Sequence, residues 1–411
     1  MDPRSSGDLL AQSPGDTFTP GLGDSPALSL APFPGTHPAA LAGPPVDWRA
    51  LHRVLVVRLD NLGDVVLTGP LIRVVRAALG PGARLDLLAS PGGAQLAPLL
   101  PGLDDVLVER VSWQDANGSL THDPQRELAL AERMRGYDAV VISTSFSQSP
   151  WPAAYAAYLA GVPVRIGQSR EFGGSLLTHW VLPAVDDEVA HQVDRSLRMI
   201  AAAGVPFDGS ALELELPKTG APVSEPYVLL APGASAPSRR YPRFRAVTNL
   251  LRGEGLRVLV VGPEKERDLL VEVSGGVDAL VGELDVPGLA GAVAAADLVV
   301  TNNSGCLHLA DAYRVPSVVL FAGTESLSQY APRAGAATVL SRPVPCSPCR
   351  SFACPYAQEC LDVPPEQVVG AVLARLGRIA IGGLAKRDKR RKRQADGGRP
   401  TVARGESEAA A

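Results

Sequence analysis

Two consecutive series of short Val- and Leu-rich runs, each breaking into a loop that carries Gly, Asp, Asn or Ser, constrain the fold of this chain more than anything else in it. In the first series, "RVLVVRL" (53–59), "RLDLLAS" (84–90), "DVLVE" (105–109) and "YDAVVIST" (137–144) are strand-length and largely apolar. Strands buried on both faces read this way, and they belong to parallel sheets covered by helices. Between them, "PLIRVVRAALG" (70–80) is amphipathic, with Pro70 at its first position and Gly80 just past its end, so a helix is expected there. After a Pro- and Gly-bearing linker, "PKTGAPVSEP" (217–226), the rhythm resumes in "YVLLAPGAS" (227–235), "RVLVVGPE" (257–264), "ADLVVTNN" (296–303) and "VPSVVLFAGT" (315–324). The expected fold class is α/β, with two Rossmann-like domains facing a central cleft.

The chain of 411 residues then divides into five parts. Residues 1–49 read as a disordered Pro/Gly/Ser-rich leader, 50–218 as an N-terminal domain and 222–345 as a C-terminal domain. Residues 346–380 form a cysteine-bearing segment with a closing helix, and 381–411 a basic tail. Aromatics are only 5% of the chain, so both cores must be built from aliphatic side chains. No apolar run is long enough for a membrane span, and the first residues lack the basic start and apolar stretch of a signal peptide. A cytoplasmic location is expected. The net charge of −4 hides a tail that carries nine basic and four acidic residues from Lys386 onward. That tail can meet an anionic membrane at the inner face of the plasma membrane, or remain a solvated end. No reader motif or aromatic platform accompanies it, so nucleic acid is not an expected partner.

In open α/β sheets ligands bind beyond the carboxyl ends of the strands, so the loops there carry the functional candidates. No Gly-x-Gly-x-x-Gly fingerprint follows any strand, which argues against a dinucleotide, and no cofactor is expected. In "PGASAPSRRYP" (232–242), Gly233 and Ser235 let a ligand approach backbone amides, and Arg239 offers a planar fork for phosphate oxygens. "GPEKER" (262–267) places Glu264 at a strand end, suited to sugar hydroxyls. In "TNNSGCLHLAD" (301–311), Asn303 or Ser304 can cap a helix that opens with Gly305, leaving N–H groups and a positive dipole end for a phosphate. Capping of a purely structural helix explains the same residues. In "RLDNLGDVVLTGP" (58–70), Asp60 and Asp64 follow a strand, and a carboxylate there can serve as a general base or simply as a helix cap.

Taken in order, "VLVVRLDNLGDVVLTGPLIRVVR", "YDAVVIST…AAYLAGVPVRIG", "HQVDRSLRMI", "PGASAPSRRYP" and "TNNSGCLHLADAYRVPSVVLFAGT" resemble glycosyltransferase family 9, the ADP-heptose:lipopolysaccharide heptosyltransferases. The likeness runs from about residue 53 to residue 362. It implies a GT-B architecture, inverting transfer without a metal, and a nucleotide-sugar donor held mainly by the C-terminal domain. Asp64 matches the family's Gly-Asp motif, whose aspartate is the proposed base on the acceptor hydroxyl. Arg239 falls where the family usually has a Lys that contacts the donor diphosphate. Ser304, Gly305 and His308 match a donor-site segment in which the family usually has Asp where this chain has Asn303. His191 matches a recurrent position, and a structural histidine is the expectation there.

Cys346, Cys349, Cys354 and Cys360 are spaced C-x2-C-x4-C-x5-C. Four thiols this close can hold zinc or an iron–sulfur cluster, or stay reduced, and the resemblance requires no metal for transfer, so none is assigned. Cys306 is expected to pack rather than react. The expected activity is transfer of a sugar, heptose by resemblance, from a nucleotide-diphosphate donor such as ADP-heptose to a glycan or lipid-linked acceptor. Transfer of another sugar to a cell-wall glycan or natural product, and non-catalytic binding of a nucleotide sugar, remain alternatives.

Overall fold

Parallel pairing organises both halves of the structure, a computed structural model that describes residues 41–115, 118–120, 123–145, 147–207, 221–333 and 336–377. The first sheet holds β1 (Leu41–Ala42), β2 (Arg53–Arg58), β3 (Arg84–Ala89), β4 (Asp105–Val108), β5 (Ala139–Ile142), β6 (Val164–Gln168) and β7 (His179–Val181). Their order is β1-β7-β6-β5-β2-β3-β4, parallel except for the antiparallel edge pair β1–β7. Val54 to Val57 are all buried because β2 is covered by helices on both faces, which is why its sequence does not alternate. From β2 the chain moves outward first through β3 and β4, then back through β5 to β7. The crevice at this reversal opens beyond the carboxyl ends of β2 and β5.

The second sheet holds β8 (Val228–Ala231), β9 (Val258–Gly262), β10 (Ala279–Val281), β11 (Leu298–Asn302), β12 (Ser317–Leu320) and β13 (Ala337–Leu340). They run parallel in the order β10-β9-β8-β11-β12-β13, so this reversal lies between β8 and β11. The closing helix, 365–377, buries Val368 and Val372 in the same apolar cluster as Val228, Phe244 and Leu298. The described residues all fall within one compact unit, and one apolar cluster runs from Val54 and Leu71 in the first half to Leu229 and Leu309 in the second.

Order begins before residue 50, which corrects the expected leader of 1–49. β1 pairs Leu41 with Trp180, and the Gly43 amide donates to the Thr178 carbonyl at 2.8 Å. Trp48 is buried, its Nε1–H donating to the Ala203 carbonyl at 2.9 Å. A two-residue strand and one inserted aromatic leave no periodicity to read. Four strands were also not singled out in the sequence. β7 has three residues, β10 and β13 are mostly half-buried, and β6 carries Arg165 and Gln168 among its five. The expected boundary at 218, most of the leader and the tail 381–411 lie outside the described residues.

Candidate functional site

Arg58 ends β2 as one of the most deeply buried side chains in the protein, and it organises the first half of the site. Its Nε lies 2.8 Å from Asp60 Oδ2 and its Nη2 3.0 Å from Asp64 Oδ1. Its Nη1 and Nη2 also donate to Ser143 Oγ and Ser145 Oγ, at 3.2 and 3.0 Å, just beyond the end of β5. Asp64 sits in the one-turn helix Leu62–Val66, and its carboxylate remains 15% exposed toward the crevice. Asp60 is buried. Burial pushes its pKa up, to about 6, against the pull of Arg58, and the nearby Asp64 charge adds to the rise.

Asp60 and Asp64 share the Arg58 guanidinium. While Asp60 is ionised, it takes part of the Arg58 charge. Once protonated, it leaves Arg58 to Asp64 alone, and that pair tightens, holding Asp64 from the acceptor. Turnover is therefore expected to fall as pH drops below about 6. Asp60→Asn should be slower across the whole range and lose that acidic limb. The kcat profiles of both proteins from pH 5 to about 9 check this, and an unchanged limb in the variant assigns it to another group.

The second half of the site is built at the carboxyl ends of β8 and β11. Asn302 ties the two loops together: its Nδ2 donates to the carbonyls of Pro232 and Gly233 at 2.8 and 3.2 Å, and its Oδ1 accepts from the Tyr241 amide at 3.0 Å. In this tied loop Arg239 donates through Nη1 to Ser235 Oγ at 3.2 Å and pairs through Nη2 with Glu325, which follows β12. Asn303 does not cap the next helix. Its Oδ1 instead accepts from the Ala322 amide at 3.2 Å, so the neighbouring strand end holds it. Ser304 precedes the helix Gly305–Ala312, but its hydroxyl engages Thr301 Oγ1 at 3.1 Å and no side chain caps the helix. The first amides thus lack a side-chain partner, and the positive end of the dipole faces the crevice.

The two helix starts touch. A Cβ at Gly63 would lie 2.7 Å from His308 Cδ2, and one at Gly305 would lie 2.8 Å from Leu62 Cδ2. Glycine at both positions is what lets the Asp64 helix rest on the helix opened by Ser304. His308 is buried at this crossing, where burial disfavours its protonated form while Asp64 and Asp311 favour it. Tyr330 stands beside it, with ring centroids 6.3 Å apart. Farther out, Arg333 Nη1 lies 2.9 Å from Asp194 Oδ2, and Gln329 Nε2 donates to the Glu188 carbonyl at 2.8 Å. His191 belongs to this seam. Its Nδ1 accepts from the Val193 amide at 3.3 Å, so Nε2 carries the proton donated to the Ala331 carbonyl at 3.1 Å. Burial lowers its pKa to about 4, and a neutral imidazole fits the structural role expected of it.

Asp64, Arg239, Ser304, Gly305 and His308 therefore converge, with Ser235 held by Arg239. Glu264 does not join them in contact. It lies exposed at the end of β9 in a two-point pair with Arg267, at 2.6 and 2.7 Å. The acid that packs against Gly233 is Glu266, which also pairs with Arg240 at 3.2 Å. Burial pushes the Cys306 thiol up to about 12, so it is unreactive, as its packing role requires. The cysteines at 346, 349, 354 and 360 are all free, and among the described residues no group of three or more His, Cys, Asp or Glu is arranged to hold a metal. Arg58, Glu325 and Tyr330 escaped the sequence reading. For Arg58 the available signal was an arginine closing an otherwise apolar strand, with aspartates two and six residues on.

This architecture has known counterparts. The family described as "Glycosyltransferase family 9 (heptosyltransferase)" matches residues 127–359, more than half of the chain. Lipopolysaccharide heptosyltransferase 2 of Escherichia coli (strain K12) is 26% identical over 298 residues, covering 66% of this chain and 82% of that protein. Among solved structures, the family 9 glycosyl transferase from Veillonella parvula DSM 2008 superposes with a TM-score of 0.62 at 19% identity, covering 81% of this chain and 99% of that one. E. coli heptosyltransferase WaaC with ADP-2-deoxy-2-fluoro heptose gives 0.59 at 19% identity, covering 78% and 99%. Both likenesses extend over the paired sheets, so the fold is GT-B. The chain belongs to glycosyltransferase family 9, the heptosyltransferase family, and is a glycosyltransferase.

Proposed function

We propose that this enzyme transfers heptose from ADP-heptose to a lipopolysaccharide-core type acceptor, with inversion at the anomeric carbon. The observation that carries the reading is the meeting of Asp64 with the uncapped helix start at Ser304–Gly305, with Arg239 on the adjoining loop. The acceptor hydroxyl gives its proton to Asp64 as its oxygen bonds to the anomeric carbon. On the opposite face the bond to the diphosphate oxygen breaks, and the electron pair leaves with the diphosphate. Arg239 and the amides of residues 305 and 306 stabilise that growing charge. The donor in the WaaC structure and the name of the E. coli relative support the choice of sugar and acceptor. The decisive experiment incubates the purified protein with ADP-heptose and a core-type acceptor and reads the product's anomeric configuration by NMR. Opposite configurations in donor and product are expected. Retention, or transfer only from another nucleotide sugar, contradicts the reading.

A guanidinium and helix amides at the leaving group can do the work that a divalent cation does elsewhere. Dialysis against EDTA is accordingly expected to leave kcat within about twofold, and recovery that requires added metal would refute this point. No helix among the described residues is long and apolar enough to cross a membrane, and a lipid-linked acceptor needs the enzyme at the bilayer surface. Lys386 to Arg393 supply seven basic residues for that contact. Deleting 381–411 should weaken salt-sensitive binding to anionic vesicles while sparing transfer to a soluble acceptor. Unchanged sedimentation with vesicles after the deletion would remove the tail from this role.

A further inference from the structure

We propose that the Glu325 carboxylate is a built-in anion that the donor's diphosphate replaces, and that Arg350, presented by the cysteine-bearing segment, is a second diphosphate-binding cation beside Arg239. This rests on the donor reading given above.

Glu325 pairs with Arg239, and both side chains are largely buried, at 17% and 21% exposure. The pair lies in the crevice on the same loop system as the uncapped helix start, so Arg239 meets an anion there before any ligand arrives. Burial pushes the pKa of Glu325 up and the Asp64 charge adds to the rise, while the Arg239 and Arg350 charges pull it down. A diphosphate brought to Arg239 with Glu325 still paired would face that carboxylate at close range. Exchange of one anion for the other removes that repulsion and keeps Arg239 neutralised in both states.

The cysteine-bearing segment is fixed where this exchange occurs. The Cys349 amide donates to the Gly323 carbonyl and the Arg350 amide to the Thr324 carbonyl, each at 3.0 Å. On the other side, Ser238 Oγ donates to the Ser351 carbonyl at 2.6 Å, its amide donates to the Phe352 carbonyl at 3.3 Å, and Gln358 Nε2 donates to the Pro237 carbonyl at 2.9 Å. Residues 349–352 are thus laced to the loop that ends at Glu325 and to the loop that carries Arg239. Arg350 itself is held at φ 55°, a left-handed conformation that glycine would adopt at less cost. Its amide bond to Thr324 fixes Arg350 next to the residue that carries the Glu325 carboxylate, which places a second cation at the same loop.

Calorimetric titration of the full chain with ADP, adenosine and inorganic pyrophosphate tests the exchange, with thermal melting as the control for folding. Glu325→Gln is expected to bind ADP and pyrophosphate about five- to tenfold tighter than the parent protein, and Arg350→Met about tenfold weaker. Adenosine affinity should be the same in all three. Glu325→Ala, which removes the pairing oxygen altogether, should tighten ADP binding as well. Weaker or unchanged ADP binding in both Glu325 variants, with parent binding intact, overturns the exchange and leaves the donor reading standing. Unchanged ADP binding in Arg350→Met overturns the second cation. A parent protein that binds ADP no better than adenosine overturns the donor reading and this proposal with it.

Discussion

Asp64→Asn is expected to cut kcat by two orders of magnitude or more, with the affinity for the nucleotide-sugar donor kept within a few-fold. The size follows from the loss of a general base, which is typically about 10²- to 10⁴-fold. The selectivity follows from the position of the residue. Asp64 lies on the β2 side of the crevice, while the diphosphate-binding groups proposed here come from the loops after β8 and β11 and from the cysteine-bearing segment. Removing one partner of a buried ion pair usually endangers the fold. Here Arg58 keeps Asp60 at 2.8 Å as a counter-charge, and the asparagine oxygen can still accept from Nη2. Steady-state kinetics with a circular-dichroism melt of the variant checks both halves of the expectation. Turnover near the parent rate in a folded variant would remove Asp64 from the chemistry.

Arg239→Met should be nearly as damaging for a different reason. A preorganised cation at the leaving group acts mainly where charge develops, and loss of one such donor costs about 10²- to 10³-fold in kcat. Arg239 is suited to this because its Nη1 is steadied by Ser235 and its loop by the Asn302 amide. Arg239→Lys, which restores the charge but not the fork, is expected to recover part of the rate. Single-turnover kinetics on the three proteins separates binding from chemistry. A methionine variant that lowers donor affinity but leaves the chemical step intact would show that Arg239 binds the ground state only.

The strands that could be read from the sequence are those at the sheet centres. Val54–Val57, Ala139–Ile142 and Leu298–Val300 are uninterrupted apolar runs because helices cover both faces of each sheet, and such runs carry their own signal. Strands at or next to an edge, such as β13 and β7, are short or half-buried, and their pairing is decided by partners distant in sequence. The same distinction governs the site. Asp64, Arg239 and Ser304–Gly305 lie directly after strands, where the rule for parallel sheets points. Glu325 meets Arg239 across 86 positions, and Tyr330 packs beside His308 from a separate element, so neither contact has a local signature. Asn303 shows the converse error. Its residue type suits a cap, yet the free amide of Ala322 on the adjoining strand end takes its oxygen. Glu264 and Glu266 differ by two positions in a short turn, and only packing on Gly233 distinguishes them.

The central claim is that Asp64 and the Ser304–Gly305 helix start address opposite ends of one reacting bond. A crystal structure of the enzyme with an uncleavable ADP-heptose analogue measures this directly. Diphosphate oxygens are expected within about 3 Å of the amides of residues 305 and 306 and of the Arg239 guanidinium, with the anomeric carbon turned toward Asp64. A diphosphate bound away from that helix start, or a sugar turned away from Asp64, would contradict it.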